Sequence, residues 1–410
     1  MGKVRSETIM HWDGSMSTRE PSPMLPRIPD NDDLILYDYE YNASLIPPVS
    51  AAHKGMWRYS ALLPLDDQEV RYPLFVGNTP LIAPDPLRQL TQLPRLWLKD
   101  ETRTPTGSNK DRATALVLEY ALRNKIGVVS CASTGNVAVS LAVGAAASGI
   151  KAVNFVPAHV SESKLRIMQL AGATVFKVEG GYECAFAFSR KAARLLGWGD
   201  RNTGVNPLTL EAKKTVALEI WEQLGWRVPD VLVVPVGDGI TMSAMVKGFR
   251  ELKACGVTER LPRIIGVQAE YCQPLKEAWE RGEVALQRRY QSSARTIADG
   301  IAVDAPIGAA LALHDIQESK GAFVAVSDDD TLHAISILAR YAGVLAEPAA
   351  ASTFACLKPA LASGLITPDD EVVLYITGSG LKQPQYLAPE RPSSHLVHDF
   401  AEVERILSSF

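Results

Sequence analysis

One lysine, Lys110, stands in the stretch TPTGSNKDRA, residues 104–113, with Asn109 before it and Asp111-Arg112 after it. Ser108 followed three residues later by Asp111 resembles a capping box, with Asp in place of the usual Glu. That spacing puts Lys110 in the first turn of a helix, where a positive charge opposes the helix dipole. Apolar residues then recur nearly all round (Ala113, Ala115, Leu116, Val117, Leu118, Ala121, Leu122), the pattern of a buried helix. Burial penalises an ammonium ion. Both effects favour a neutral amine, the form that Schiff-base chemistry needs. The local pattern suits equally a lysine reaching into solvent from an ordinary helix start, and both readings stand at this point.

Three further segments end an apolar run in small and polar residues. In VLVVPVGDGITMSAMVKGF a strand is expected to end at Val236, with a Gly-rich turn and a helix beginning near Ser243. Such a turn aims backbone N–H groups at an anion, and Gly237, Gly239 and the Thr241 hydroxyl suit that task. Asp238 fits only if its carboxylate faces away. In SCASTGNVAVS, residues 130–140, Ser133, Thr134, Gly135 and Asn136 form a polar loop before an Ala/Val-rich helix. The loop suits a substrate carboxylate, or simple N-capping by a hydroxyl. In VLYITGSGLK, residues 373–382, a strand runs into Thr377, whose hydroxyl would meet a ligand at the sheet edge.

The elements that must carry these loops follow from hydrophobic runs. Strands are expected at 95–99, 127–132, 151–156, 174–179, 230–236, 263–268 and 371–377, with helical patterns such as DRATALVLEYALRNK between them. Continuous Val/Ile/Leu strands alternating with helices imply an α/β fold with parallel sheets covered on both faces. Residues 1 to about 35 are polar and Pro-rich and read as a mobile arm or a strap over another surface. The chain has 410 residues, enough for two or three domains at roughly 100–200 residues each. The net charge of −4 excludes a dedicated nucleic-acid binder. No apolar run reaches the roughly 18 residues of a membrane span. Five scattered cysteines with no CxxC spacing predict free thiols in a reducing cytoplasm and no structural metal.

Taken in order, six segments resemble the fold-type II pyridoxal-phosphate enzymes, and within them the threonine synthase family. These are WRYSALLPL with FVGNTPLI, LKDETRTPTGSNKDRA, ASTGN, VNPLTLEAKKTVALEI, the GDGIT loop and TGSGLK, spanning residues 57–390. The resemblance implies a tryptophan-synthase-β-like fold of two open, mostly parallel sheet domains covered by helices. It implies an N-terminal arm and opening segment (1–70), a large cofactor domain (71–114 plus 211–410) and a small substrate-loop domain (115–210). The cofactor would be pyridoxal 5′-phosphate, joined to Lys110, which would also shuttle protons at the substrate's Cα and Cβ. Asn136 would bond the cofactor's 3′ oxygen. Gly237, Asp238, Gly239, Ile240 and Thr241 would hold its phosphate, and Thr377 would face its ring nitrogen. Ser133, Thr134 and Gly135 would bind the substrate carboxylate, with Asn109 beside the reacting carbon. No metal, nucleic acid or membrane is implied; a small amino-acid substrate and a cytoplasmic homodimer are.

The sequence departs from that family's pattern at Asn109 (usually Phe), Ala113 (Gly), Val137 and Ala138 (Thr, Ser), Thr209 (Arg), Ala212 (Gly) and Asp238 (Gly or Asn). Loss of the Arg matters if it serves the substrate phosphate, because a dianion needs cations or many N–H donors. Lys213, Lys214 and Arg112 are candidates to compensate. The expected activity is a lyase converting O-phosphohomoserine to threonine with release of phosphate. A divergent elimination or replacement enzyme for another activated amino acid is the alternative. A non-catalytic cofactor-binding homologue is a third reading, against which the retained Lys110 argues.

Overall fold

The computed structural model describes residues 3–408 except 23–25, 27, 30, 49–53, 68, 134, 159, 288–289, 291, 293–294, 388–393 and 395. Three sheets organise the described residues. The first is antiparallel, formed by β1 (Val4–Met10), β2 (Met16–Arg19) and β3 (Leu34–Tyr39) in the order β2-β1-β3. The chain then lays down β4 (Leu81–Ile82) and β5 (Leu96–Asp100) of a second sheet and leaves it. It builds a third sheet from β6 (Val128–Ala132), β7 (Lys151–Pro157), β8 (Thr174–Val178) and β9 (Gly199–Asp200), ordered β8-β7-β6-β9 and wholly parallel. It returns to complete the second sheet with β10 (Val231–Pro235), β11 (Arg263–Ala269), β12 (Ala322–Val326) and β13 (Val372–Ile376). The order there is β12-β11-β10-β13-β5-β4, parallel except for the two-residue edge strand β4.

The sequence pattern explains this layout. β10 (VLVVP) and β13 (VVLYI) are buried along their whole length, as central parallel strands between two helical layers must be. All seven expected strands are present, with ends shifted by a residue or so. In the second and third sheets three short strands were not expected. β12 is a five-residue run, and β4 and β9 have two residues each, too short for a period to show. The helix of the Gly-rich segment starts at Ile240, three residues before the expected start, because the turn closes at Gly239 in the left-handed region (φ 85°). The five cysteines are free. Among the described residues no helix is long and apolar enough to cross a membrane.

The mobile-arm reading of the N-terminus is corrected. Residues 4–39 contain the antiparallel sheet, and it lies as a strap on the body of the protein. Met10, Leu34 and Leu36 bury against Leu210, Ile240 and Ala244. Tyr39 Oη donates to Glu211 Oε2 at 2.8 Å. The polar face hid this: a buried carboxylate, Glu7, is satisfied inside the arm by Arg19 Nε (2.7 Å) and Ser22 N (3.0 Å).

Candidate active site

Four strand ends converge on one cleft of about 1020 Å³. β5 leads through a loop to the helix Lys110–Arg123, and β13 leads to Thr377. These two loops are zipped together. Asn109 N donates to Thr377 O (2.9 Å) and Ser379 N to Gly107 O (2.8 Å). Lys382 Nζ donates to the carbonyls of Thr106 (3.0 Å) and Gly107 (2.6 Å). β6 delivers Ser133, Gly135 and Asn136, and β10 delivers Gly237, Asp238 and Thr241. All of these face the cleft, as do Asn109, Lys110 and Thr377. Ligands at the carboxyl ends of parallel strands are the general rule for open α/β sheets. Gly239 and Ile240 lie behind the wall: the Ile240 side chain is core, and its N–H donates to Asp238 Oδ1 at 3.0 Å. Thr134 lies outside the described residues.

Lys110 opens its helix as expected, with a different cap. Asn109 is the N-cap residue and makes no capping bond. Asp111 reaches back to Thr106 instead, accepting from its N (2.7 Å) and Oγ1 (2.6 Å), so no capping box with Ser108 forms. The Thr106-Gly107 turn brings Thr106 within reach, and the shorter Asp side chain bonds there. Lys110 Nζ donates to Asn109 Oδ1 at 3.0 Å. Burial holds the Lys110 amine below the usual lysine range, against the opposing pull of Asp238 and Glu347, while Arg201 and Lys382 push it the same way as burial.

Residues the sequence reading missed complete the cleft. Asn136 Nδ2 donates to both carboxylate oxygens of Glu347 (2.9 and 2.8 Å), leaving Asn136 Oδ1 buried and unpartnered. Gly378 makes room for that carboxylate, since a Cβ there would sit 2.4 Å from Glu347 Oε1. Glu347 directly precedes Pro348 at the start of the Ala-rich helix Pro348–Ala355, a Glu-Pro helix start that could have flagged it. Lys164 pairs with Asp299 at 2.7 Å beside Gly135. The β1–β2 turn supplies His11 and Trp12 at the mouth. No local signal places Lys164, Asp299, His11 or Trp12 in the site, because each arrives by tertiary contact.

Two buried ion networks flank the cleft. Arg112 bonds Glu101 and Glu219, and Lys99 bonds Glu219, each at 2.7 Å. Lys214 bonds Glu211 and, at 2.8 Å, Glu251; Lys247 bonds Glu251 and, at 3.1 Å, Glu211. Two other buried cations differ. Among the described residues Arg201 donates only to neutral oxygens: Thr114 Oγ1 (2.9 Å), Thr203 Oγ1 (3.2 Å) and Lys110 O (3.1 Å). Lys213 Nζ is buried with no partner among the described residues. Thr209 is fully buried, its hydroxyl accepting from Gly204 N (3.2 Å) and donating to Asn206 O (2.7 Å).

These groups fit pyridoxal 5′-phosphate: an amine disposed to be neutral for its aldehyde, and the side-chain amide of Asn136 lining the cleft beside it. The Gly-rich turn, the helix Ile240–Ala254 and the Thr241 hydroxyl suit its phosphate. The model of the pyridoxal-phosphate-dependent enzyme family matches residues 72–378. The chain is 36% identical to threonine synthase of Methanocaldococcus jannaschii over 358 residues, covering 85% of this chain and 86% of that one. It is 35% identical to threonine synthase of Mycobacterium tuberculosis over 336 residues, covering 82% and 90%. In fold it resembles a fungal L-serine ammonia-lyase from Rhizomucor miehei (TM-score 0.64, 20% identity, covering 75% and 97%). It also resembles diaminopropionate ammonia lyase from Escherichia coli (TM-score 0.65, 17% identity, covering 75% and 86%). A Lys-bearing cleft at the carboxyl ends of two parallel sheets and near full-length similarity lead to one conclusion: the chain is a fold-type II pyridoxal-phosphate-dependent enzyme of the threonine synthase family.

Proposed function

We propose that this protein converts O-phosphohomoserine to threonine, releasing phosphate and adding water. The observation that carries this reading is similarity to threonine synthases over more than four-fifths of both chains, with Lys110 kept inside the cleft. When bound, pyridoxal 5′-phosphate supplies an electron sink for the bonds at the substrate's Cα. Lys110 Nζ holds the cofactor and then moves protons at Cα and Cβ, a task its burial-lowered pKa favours. Asn136 Nδ2, which donates to Glu347 in the free protein, would turn to donate to the 3′ oxygen. Gly237 and Thr241 cradle the cofactor's phosphate, while Gly239 and Ile240 shape the turn behind them and Asp238 accepts from Ile240 N. Thr377 faces the ring nitrogen; a hydroxyl there does not force protonation, which moderates the sink. Ser133, Thr134 and Gly135 take the substrate carboxylate. The second and third sheets are then cores of two lobes, residues 71–114 with 211–410 and residues 115–210, with the cleft between them.

One observation favours the second reading, elimination or replacement on another activated amino acid. Position 209 carries no cation, and the Thr209 hydroxyl is committed to its own turn. Purified protein loaded with cofactor and given O-phosphohomoserine distinguishes the two. Stoichiometric phosphate and threonine are expected, with both lost, along with absorption near ~410–420 nm, in Lys110→Ala. Turnover of O-phosphoserine or O-acetyl amino acids with no threonine from O-phosphohomoserine would replace the first reading by the second.

A further inference from the structure

We propose that Lys213, with the fixed charge of Arg201 behind it, is the receptor for a phosphate monoester dianion in this site. The inference deepens the reading above and rests on it for the choice of ligand. Three cations stood as candidates to make up for the uncharged residue at 209, and the structure separates them. Arg112 and Lys214 are each closed off by two carboxylates. Lys213 is 1% exposed and its Nζ has no partner among the described residues.

Its placement points to a ligand. Lys213 ends the helix Leu208–Lys213, which packs against both the helix that begins with Lys110 and the helix Ile240–Ala254 that follows the Gly-rich turn. The charges that act on it are those of the site: Asp238, Lys110 and Arg201. Asp238 lines the cleft, and Lys213 lies behind the lining residues. Burial pulls the Lys213 pKa down to about 7, Asp238 opposing and Lys110 and Arg201 reinforcing the shift. Arg201, also fully buried and pulled down by burial, makes no ion pair among the described residues. Two buried cations short of anions are expensive to keep charged. A dianion taken up beside Lys213 offsets that cost, and its arrival favours the protonated form of the amine, so binding takes up a proton. The dianion has two possible sources, the cofactor's 5′-phosphate and the leaving group of the substrate.

The test compares the full-length protein with Lys213→Met, and with Lys213→Gln should the first not fold. Inorganic phosphate is titrated into each holoenzyme by calorimetry near pH 7.5 in two buffers of different ionisation enthalpy. Pyridoxal 5′-phosphate and unphosphorylated pyridoxal are titrated into each apoprotein by fluorescence quenching. A tenfold or greater loss of phosphate affinity, with proton uptake abolished and far-UV circular dichroism unchanged, assigns Lys213 to the leaving group. The same loss for pyridoxal 5′-phosphate, with pyridoxal unaffected, assigns it to the cofactor. A folded variant with wild-type affinity for both phosphates overturns the proposal. None of these readouts uses threonine formation, so a protein that binds phosphate through Lys213 yet makes no threonine would count against the substrate alone.

Discussion

Two kinds of buried cation in this molecule differ in their partners. Arg112, Lys99, Lys214 and Lys247 are each matched to Glu101, Glu219, Glu211 or Glu251. Lys110, Lys213 and Arg201, a short way off, have no carboxylate in bonding contact among the described residues. The same desolvation acts on both groups. In the matched networks the carboxylates oppose it: Arg112 and Lys247 rise well above their ordinary ranges, while burial still holds Lys99 and Lys214 below theirs. In the cleft the more distant Asp238 and Glu347 oppose it without a bonding contact, and the Lys110 and Lys213 amines fall below theirs. The difference separates structural charge from functional charge. A matched cluster fixes the helices Lys110–Arg123 and Thr215–Gln223 against β5, while an unmatched one is ready for a neutral nucleophile or an incoming anion.

The sharpest way to break that contrast is to unmatch a matched cluster. Glu219→Ala removes the carboxylate shared by Lys99 and Arg112, leaving Lys99 with only the oxygens of Thr79 and Gln223. Removing one partner of a buried pair typically costs ~3–5 kcal/mol. Urea unfolding of the variant should show a loss in that range, with Arg112 kept partly satisfied by Glu101. A loss below about 1 kcal/mol would mean that these charges are not balanced by Glu219, and the contrast with the cleft would disappear.

How far this contrast was legible in the sequence depends on the distance between partners. The seven long strands, the buried helix after Lys110 and the four loops came from local runs, because burial on both faces writes itself into consecutive residues. The Glu219 network joins residues more than a hundred positions apart, such as Arg112 to Glu219, which no spacing encodes, whereas Lys214–Glu211 and Lys247–Glu251 fall at helical i,i+3 and i,i+4 spacings. The N-terminal sheet failed for a related reason. β1 (VRSETIM) shows no clean alternation, and its inward face is defined by docking on Leu210 and Ile240, far along the chain. Asn136 was visible in its loop, whereas Glu347, 211 residues later, was not. The list of Lys213, Lys214 and Arg112 as possible substitutes at the site could be written from the sequence. Choosing among them required knowing which already had partners.

A gentler test acts on the unmatched side through pH. The Lys213 amine is lowered from 10.5 to about 7 by burial, so between those values the unfolded chain holds the extra proton. Stability from this group therefore rises with pH across that window and is lowest below about pH 7. Each tenfold change in proton affinity is worth about 1.4 kcal/mol, which makes a few kcal/mol the upper bound. In phosphate-free buffer, Lys213→Met should be more stable than wild type at pH 6, with the advantage shrinking toward pH 10. Parallel pH–stability curves for the two proteins would show that Lys213 is charged and satisfied after all.

The smallest effect is expected at Asn109, and it tests what keeps the Lys110 amine where it is. Asn109 is fully buried; its Oδ1 accepts from Lys110 Nζ, while its Nδ2 has no partner among the described residues. Asn109→Leu keeps about the same volume and removes both groups at once. Losing the unpaired donor recovers part of a desolvation cost of ~1–3 kcal/mol, and losing the acceptor gives back a similar amount. Unfolding free energy should therefore change by less than about 1 kcal/mol. The chemistry should shift in one direction. An oxygen that accepts from Nζ stabilises the ammonium, so without it the amine should be neutral at lower pH. The acid limb of the reaction of apoprotein with pyridoxal 5′-phosphate, followed by its visible band, is expected to move down in pH. Asn109→Phe is the wrong probe, since a larger ring in a site with no free surface adds overpacking of ~1–3 kcal/mol that would mask the change. An unmoved acid limb in Asn109→Leu would leave burial, with the neighbouring Arg201 and Lys382 charges, as the whole cause of the lowered lysine.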